Sequence, residues 1–342
     1  MRHLLFTLVA SATLFACTPP GTEQGSSTSG PGAALDLKQI EQHILDRPND
    51  PNAYADRALY YERLDSSALA ESDWKRTILL DSTNTRWRIA LGDLYFRKVR
   101  LMDAEQRFQE AIRLEPNGTK GRSKLSEVYL MQGRYPEAMT VANDALRIDP
   151  QDASLYNLKG WIHRTAGDTN LAISSYHTAV ERDPQFYDAY ISLGILHAAR
   201  QDPLALEYYN SALEIRPESV EALYNKAIFA QEHGRDSLAL VCYERIIAVE
   251  PKYPLAYYNR GYVYLEHQKR VADARREFNT AIQLLPDYTA AYYNRGLTYE
   301  LDNKLDSALL DYQQALRLDP GFTPAAQGLG RLQDRGVAVK LR

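Results

Sequence analysis

Cysteine is nearly missing: two residues in 342 cannot build a disulfide framework. There is no basic excess, because 40 Lys and Arg face 44 Asp and Glu, so nothing favours a nucleic-acid backbone as partner. Glycine and proline, at 18 and 16 residues, are too few for a low-complexity or collagen-like chain. No apolar run is long enough to span a bilayer as a helix. No His-Glu-x-x-His, Cys-x-x-Cys or Gly-x-x-x-x-Gly-Lys pattern occurs, so neither a metal nor a phosphate-bearing cofactor is implied. Tryptophan and phenylalanine are sparse, at 3 and 8, yet tyrosine reaches 24. That imbalance asks for an explanation.

The N-terminus reads as a targeting segment. Arg2 and His3 precede an apolar run from Leu4 to Ala16, short enough for a signal-peptide core. The run closes Leu14-Phe15-Ala16-Cys17, which resembles the lipobox of bacterial lipoproteins, although Phe15 is larger than usual there. The resemblance implies a signal peptide over 1–16, lipid attachment (palmitate among the chains) at Cys17, and cleavage before it. Residues 17–34 follow as a Thr-, Pro-, Gly- and Ser-rich tether. Its r.m.s. reach of roughly 20–25 Å would let the folded body float near the membrane. Loss of residues 1–16 removes Arg2 and makes the mature chain one charge more negative, so the acyl chains are the expected anchor. Thr18 in place of an acidic residue points, by resemblance to lipoprotein sorting rules, to the outer membrane facing the periplasm.

The rest of the chain is one repeat. Ala recurs at 70, 104, 138, 172, 205, 239, 274 and 308, at intervals of 33–35 residues. A proline follows twelve residues later at 116, 150, 184, 217, 251, 286 and 320; Ser82 breaks the series in the first unit. A small residue precedes each Ala at Ala58, Gly92, Ser126, Gly160, Gly194, Ala227, Gly261 and Gly296. An aromatic follows four residues after it at Trp74, Phe108, Tyr176, Tyr209, Tyr243, Phe278 and Tyr312, with Ala142 in the third unit. This pattern resembles the tetratricopeptide repeat (TPR). It implies an all-α, right-handed superhelical solenoid of eight helix-turn-helix repeats over 51–322. Small residues would let two helices approach, the aromatics would fill the space between units, and proline would stop each second helix. A capping helix is expected within 35–50, from Leu37 to Arg47, and another within 323–342, from Ala325 to Asp334, with a loose tail from Val337. The fifth unit loses a residue near Gln201-Asp202-Pro203, and the seventh gains one near Arg270-Val271, both expected in turns.

Chemistry is thin along this array. His163 and His197 stand where other units carry Tyr61, Tyr95, Tyr129, Tyr264 and Tyr299. They either pack as tyrosine substitutes or face each other as metal ligands. Cys242 in a second helix reads as a small core residue. Asp65-Ser66, Asp236-Ser237 and Asp306-Ser307 open second helices. They serve either as helix caps or as bacterial O-glycosylation sites, whose Asp-Ser-small/apolar pattern Asp236-Ser237-Leu238 and Asp306-Ser307-Ala308 resemble, as does Asp81-Ser82-Thr83.

The first helices carry the candidate site. In TPR proteins they line the concave groove. Toward the N-terminus that face is polar, with Arg86, Asp93, Arg97, Lys120, Ser123 and Glu127. Toward the C-terminus it turns apolar and aromatic, with Ile191, Ile195, Tyr224, Ile228, Tyr258, Tyr262, Tyr293 and Leu297. Asn225, Asn259 and Asn294 follow three of these tyrosines. An amide ladder on the groove could bond an extended peptide backbone; the alternative is bonding within the helix array. Arg260, Arg295, Lys159 and Lys226 replace apolar residues of the usual pattern, at a groove edge or between helices, and the full carboxylate-clamp set is not visible.

The reading that results is a non-enzymatic scaffold, lipid-anchored in the bacterial cell envelope, that gathers envelope proteins or peptides in the groove. A glycan- or exported-polymer-binding subunit of an assembly or secretion system is the alternative, with tyrosine faces stacking on sugar rings. Self-association through the C-terminal cap stays open. An enzyme is disfavoured, since the repeats leave only about twenty residues beyond 322.

Overall fold

The computed structural model describes residues 36–339; Cys17, the apolar run and the tether lie outside the described residues. Every regular element among the described residues is helical. Two compact units divide after Pro150.

The first unit opens with α1 (Leu37–Asp46), then pairs α2 (Pro51–Arg63) with α3 (Ser67–Leu80), α4 (Thr85–Arg97) with α5 (Leu101–Leu114), and α6 (Lys120–Met131) with α7 (Tyr135–Ile148). The second pairs α8 (Ala153–Thr165) with α9 (Thr169–Arg182), α10 (Tyr187–Ala199) with α11 (Leu204–Ile215), and α12 (Val220–Glu232) with α13 (Asp236–Val249). It continues with α14 (Pro254–Tyr262) and α15 (Val271–Leu284), then α16 (Thr289–Leu301) and α17 (Leu305–Leu318), and ends in α18 (Thr323–Asp334).

Local chemistry explains the starts and stops. Asp36 and Gln39 form a reciprocal capping box on α1. Asp50, Asn84, Asp152 and Ser219 each accept a bond from a backbone N–H in the first turn of the helix that follows. The prolines follow the last turns of second helices, where a missing N–H and a fixed φ prevent continuation. The residues expected to cap α3, α13 and α17 do not: none of these helices has a side-chain cap bond. Asp236 instead bonds His267 Nδ1 at 2.6 Å.

Each hairpin turn contains a left-handed residue: Asp65, Val99, Gly133, Gly167, Gln201, Gly234, Lys269 and Asn303. Glycine takes this conformation without penalty and Asn or Asp at small cost. Val99, at φ +57°, is β-branched and strained.

The helices of a pair meet at the small residue. A Cβ placed on Gly160 would lie 2.6 Å from the Tyr176 ring, and one on Gly296 would lie 2.8 Å from the Tyr312 ring. These aromatics sit first against the glycine of their own repeat, rather than only between units as the pattern suggested. Tyr312 also reaches the next helix, where a Cβ on Gly328 would lie 2.7 Å from its ring. The ring is clamped from both sides. The third repeat inverts the pair: Ser126 replaces glycine, Ala142 replaces the ring, and the Ser126 hydroxyl donates to the Ala138 carbonyl at 2.8 Å.

Two expectations are corrected. The extra residue of the seventh repeat is not in the turn. It is absorbed in a π-helical turn over Val263–His267 that prolongs α14, closed by Gln268 N–H donating to the Val263 carbonyl at 3.2 Å. The reason is visible in the spacing: eight residues separate Gly261 from the left-handed Lys269, against seven from Ala227 to Gly234. The missing residue of the fifth repeat does fall by the turn, shortening α11 to 12 residues behind Pro203. The tail is not loose as far as Val339, because Val337 and Val339 pack on the core around Tyr312 and Leu332. α18 also begins two residues earlier than expected, at Thr323.

Gly296 and Gly330 stand 34 residues apart at the same place in the repeat, but nothing lies within 4 Å of a Cβ on Gly330. The same substitution should therefore act with opposite sign. Gly296→Ala should destabilise by about 1–3 kcal/mol through overpacking. Gly330→Ala should stabilise by up to about 1 kcal/mol through helix propensity. Urea midpoints of the two variants test this; equal shifts would refute the packing account.

Candidate partner-binding surface

The first helices α12, α14 and α16 carry the candidate residues, all within the second unit. Tyr224, Asn225, Ile228, Tyr258, Tyr262, Tyr293 and Leu297 are each partly buried. Asn259 and Asn294 are buried, at 8% and 6% exposure. Ile195 lies more open at 37%, whereas Ile191 belongs to the core.

Asn259 and Asn294 each spend a donor within the array. Asn259 Nδ2 donates to the Tyr224 hydroxyl at 3.2 Å, and Asn294 Nδ2 donates to the Tyr258 hydroxyl at 2.9 Å. Each bond runs from one first helix to the preceding one. The ladder is real, but it ties repeats together. Asn225 is placed in register with these two and is half-buried.

A second series was not read from the sequence. Tyr253, Tyr288 and Phe322 occupy the connections just before α14, α16 and α18. Tyr253 packs edge-on to Tyr224 with centroids 5.9 Å apart, Tyr288 lies 4.6 Å from Tyr258, and Phe322 lies 5.7 Å from Tyr293. The signal was present: these residues repeat at the same spacing as the prolines. Together the two series make an aromatic seam that takes up five of the 24 tyrosines. Burial pushes the Tyr253 phenol up to about 12. Burial likewise raises Tyr258 and Tyr288, with neighbouring phenols adding to the effect.

Three of the four unexpected basic residues bond across helices. Arg260 pairs with Glu277 at 2.9 Å and Arg295 with Asp311 at 2.6 Å, each inside its own hairpin. Lys226 Nζ donates to Asn210 at 2.6 Å. Arg260 and Arg295 are thus neutralised within the fold, away from a carboxylate clamp. In the first unit the polar residues also pair: Arg97 with Glu62, and Lys124 with Asp93 at 3.8 Å. Burial raises the Asp93 carboxyl, opposed by Lys124, Arg97 and Lys120.

The histidines act as local packing groups. His197 Nδ1 lies 2.7 Å from Asp202 in its own turn, and its ring packs on Tyr208 at 5.0 Å. His163 lies 3.9 Å from Asp168. Among the described residues, no group of three or more His, Cys, Asp or Glu side chains could hold a metal ion. Cys242 is buried, and burial raises its thiol away from nucleophilic use.

An all-helical array of hairpins with a partly apolar first-helix face defines an interaction scaffold. Residues 89–153, 157–220, 224–288 and 289–322 match the tetratricopeptide repeat family, so the chain belongs to it. Members mediate protein–protein interactions, and the fold is generally non-catalytic. Among curated proteins none matches the chain. Of solved structures, the C-terminal part of a TPR repeat-containing protein from Cytophaga hutchinsonii is 18% identical, covers 72% of this chain and 99% of its own, and superposes with a TM-score of 0.61. A tetratricopeptide repeat protein from Parabacteroides merdae is 20% identical, with 73% and 98% covered and a TM-score of 0.48. YrrB, a TPR protein with an unusual peptide-binding site, is 20% identical, with 55% and 97% covered and a TM-score of 0.40. The first of these likenesses concerns the fold.

Two measurements test the seam. Tyr258→Phe and Asn294→Ala should each cost about 1 kcal/mol, and the double variant hardly more, giving a coupling near 1 kcal/mol in a double-mutant cycle. Additive losses would show that the bond contributes nothing. Alkaline titration is the second. A phenol whose folded pKa exceeds its ordinary value of 10 binds its proton more tightly when folded. That stabilisation is complete below about pH 10 and should fade as pH rises toward 12. A urea midpoint constant across that window would contradict the burial of the seam.

Proposed function

We propose that the chain is a non-enzymatic adaptor of the bacterial cell envelope, anchored by lipid on Cys17 and holding protein partners on the first-helix face of the second unit. The observation that carries the partner site is the continuity of Ile195, Ile228, Tyr262 and Leu297, partly accessible apolar residues at one repeat position on successive first helices, beside Asn259 and Asn294 amides that already donate to tyrosine hydroxyls. A partner gains apolar burial there without having to satisfy those two amides. Peptide or protein is favoured over glycan, because Tyr258 and Tyr293 are already engaged with other rings: Tyr258 with Phe278 and Tyr288, Tyr293 with Tyr312 and Phe322. The lipobox-like Leu14-Phe15-Ala16-Cys17 supports the anchor, and Thr18 supports the outer membrane as its site.

The test has two arms. Cys17→Ser should move the protein from the membrane to the soluble fraction; unchanged retention sinks the anchor. For the surface, an Ile228→Ser/Tyr262→Ser/Leu297→Ser variant is compared with wild type in affinity capture from detergent-solubilised envelopes. Proteins lost only from the variant, with circular dichroism unchanged, would be groove partners. Identical recovery would dismiss this face as the site.

A further inference from the structure

The amide-to-tyrosine bonds that tie α14 and α16 to their neighbours stop at α12. Asn225 stands in register with Asn259 and Asn294, but the place of their tyrosine partners is taken on α10 by Ile191, which has no hydroxyl. On α8, Asn157 occupies the repeat position of Tyr224 and Tyr258; it is 8% exposed and its Oδ1 has no hydrogen-bond partner. A buried acceptor left empty calls for a donor. Two acids lie nearby on α12. Glu221, Asn225, Ile228 and Glu232 follow at i, i+4, i+7 and i+11, so they share one side of the helix. Among the described residues neither acid has a cation within ion-pair distance; Glu221 accepts from the Tyr187 hydroxyl at 3.2 Å. The first unit cancels its acids instead: Lys124 Nζ lies 3.8 Å from Asp93 and 3.1 Å from Glu127. In α12 the cation comes one place later in the repeat, at Lys226, and turns to Asn210 of α11. Arg260 and Arg295 are the other Lys or Arg residues of α10, α12, α14 and α16, and Glu277 and Asp311 hold them. The first helices here therefore present acids and apolar side chains with no cation to match.

We infer that the occupant of this face is a basic peptide segment, whose Lys or Arg side chains reach Glu221 and Glu232 while its apolar residues cover Ile195, Ile228 and Tyr262. The inference rests on the reading of this face as the partner site and adds the chemistry of the partner. Eleven residues of helix separate the two acids, about 16 Å along its axis. An extended chain spans that distance in about five residues. The matching segment thus carries a cation on either side of a short apolar stretch. Lys and Arg side chains are donors only, which suits a face whose unmatched groups include two carboxylates and the Asn157 Oδ1. An acidic segment would bring further acceptors against them. Apolar burial supplies the affinity, and the acids at the rim select the sign of the partner's charge.

Fluorescence anisotropy tests this on the full chain in a nonionic detergent. Three labelled peptides of about twelve residues carry Leu and Ala at alternate places, with Lys, Glu or Ser between them. The Lys peptide should bind about five-fold tighter than the Ser peptide, and the Glu peptide weaker than either. Glu221→Gln/Glu232→Gln should erase the advantage of Lys and leave binding of the Ser peptide unchanged. Raising salt from about 0.05 to 0.5 M should weaken the Lys peptide on the parent and not on the variant. A Lys advantage that survives the variant overturns the proposal. So does an equal loss from Glu214→Gln/Glu244→Gln, which removes the same charge from exposed places on α11 and α13, since net charge alone would then be at work. Three peptides bound alike, and all released by Ile228→Ser/Tyr262→Ser/Leu297→Ser, would leave the face as the partner site and refute its preference for cations. Lys-peptide binding that survives that triple change rejects both readings, as does no binding by any of the three.

Discussion

Everything in this chain depends on how closely two helices can cross. A glycine or alanine on the first helix removes the side chain that would hold the pair apart, and a ring from the second helix closes over the gap. Tyr176 over Gly160 and Tyr312 over Gly296 show the arrangement in its simplest form. Tyr312 also closes against Gly328 of the following helix, so one buried ring belongs to two contacts. Stability of this kind passes from neighbour to neighbour, because a lone hairpin leaves half of each ring in water. The third repeat shows the same constraint solved differently, with a hydroxyl-to-carbonyl bond from Ser126 where the ring is absent.

A second layer of order sits on that frame. The Asn259–Tyr224 and Asn294–Tyr258 bonds join one first helix to the next, and the rings of Tyr253, Tyr288 and Phe322 wedge beneath them. The Asn259 and Asn294 amides each donate to a tyrosine of the preceding first helix, so the residues beside them act through shape and apolar area. Arg260 and Arg295 follow the same logic, being matched to Glu277 and Asp311 within their hairpins. What remains on offer to a partner is a firm surface with little loose positive charge.

The repeat, its small residues and its rings were legible in the sequence because close packing permits few residue types, and those recur at a fixed interval. Partner surfaces lack that clarity. The tyrosines were recognisable as a cluster, but whether Asn294 faces outward or bonds a neighbour depends on the rotation between two helices, which the interval does not record. Tyr253 and Tyr288 fall in the connections before α14 and α16, outside the helical periodicity that marks a packing face. Likewise the Asp-Ser pairs had the composition of caps, yet α13 and α17 begin without a side-chain cap. Nothing in the residue type of Val99 marks its left-handed backbone.

The π turn at Val263–His267 carries a wider lesson about how such an array accommodates change. The added residue is taken up within one turn of one helix, and by Lys269 the backbone has resumed the path of every other hairpin. The deletion behind Pro203 is likewise confined to the start of α11. Each repeat resets its own phase, because the crossing point and the turn are defined locally. An array of this design forgives errors of count and punishes errors of size. Its repeats can differ in length by a residue, while the position beneath each ring admits only glycine or alanine.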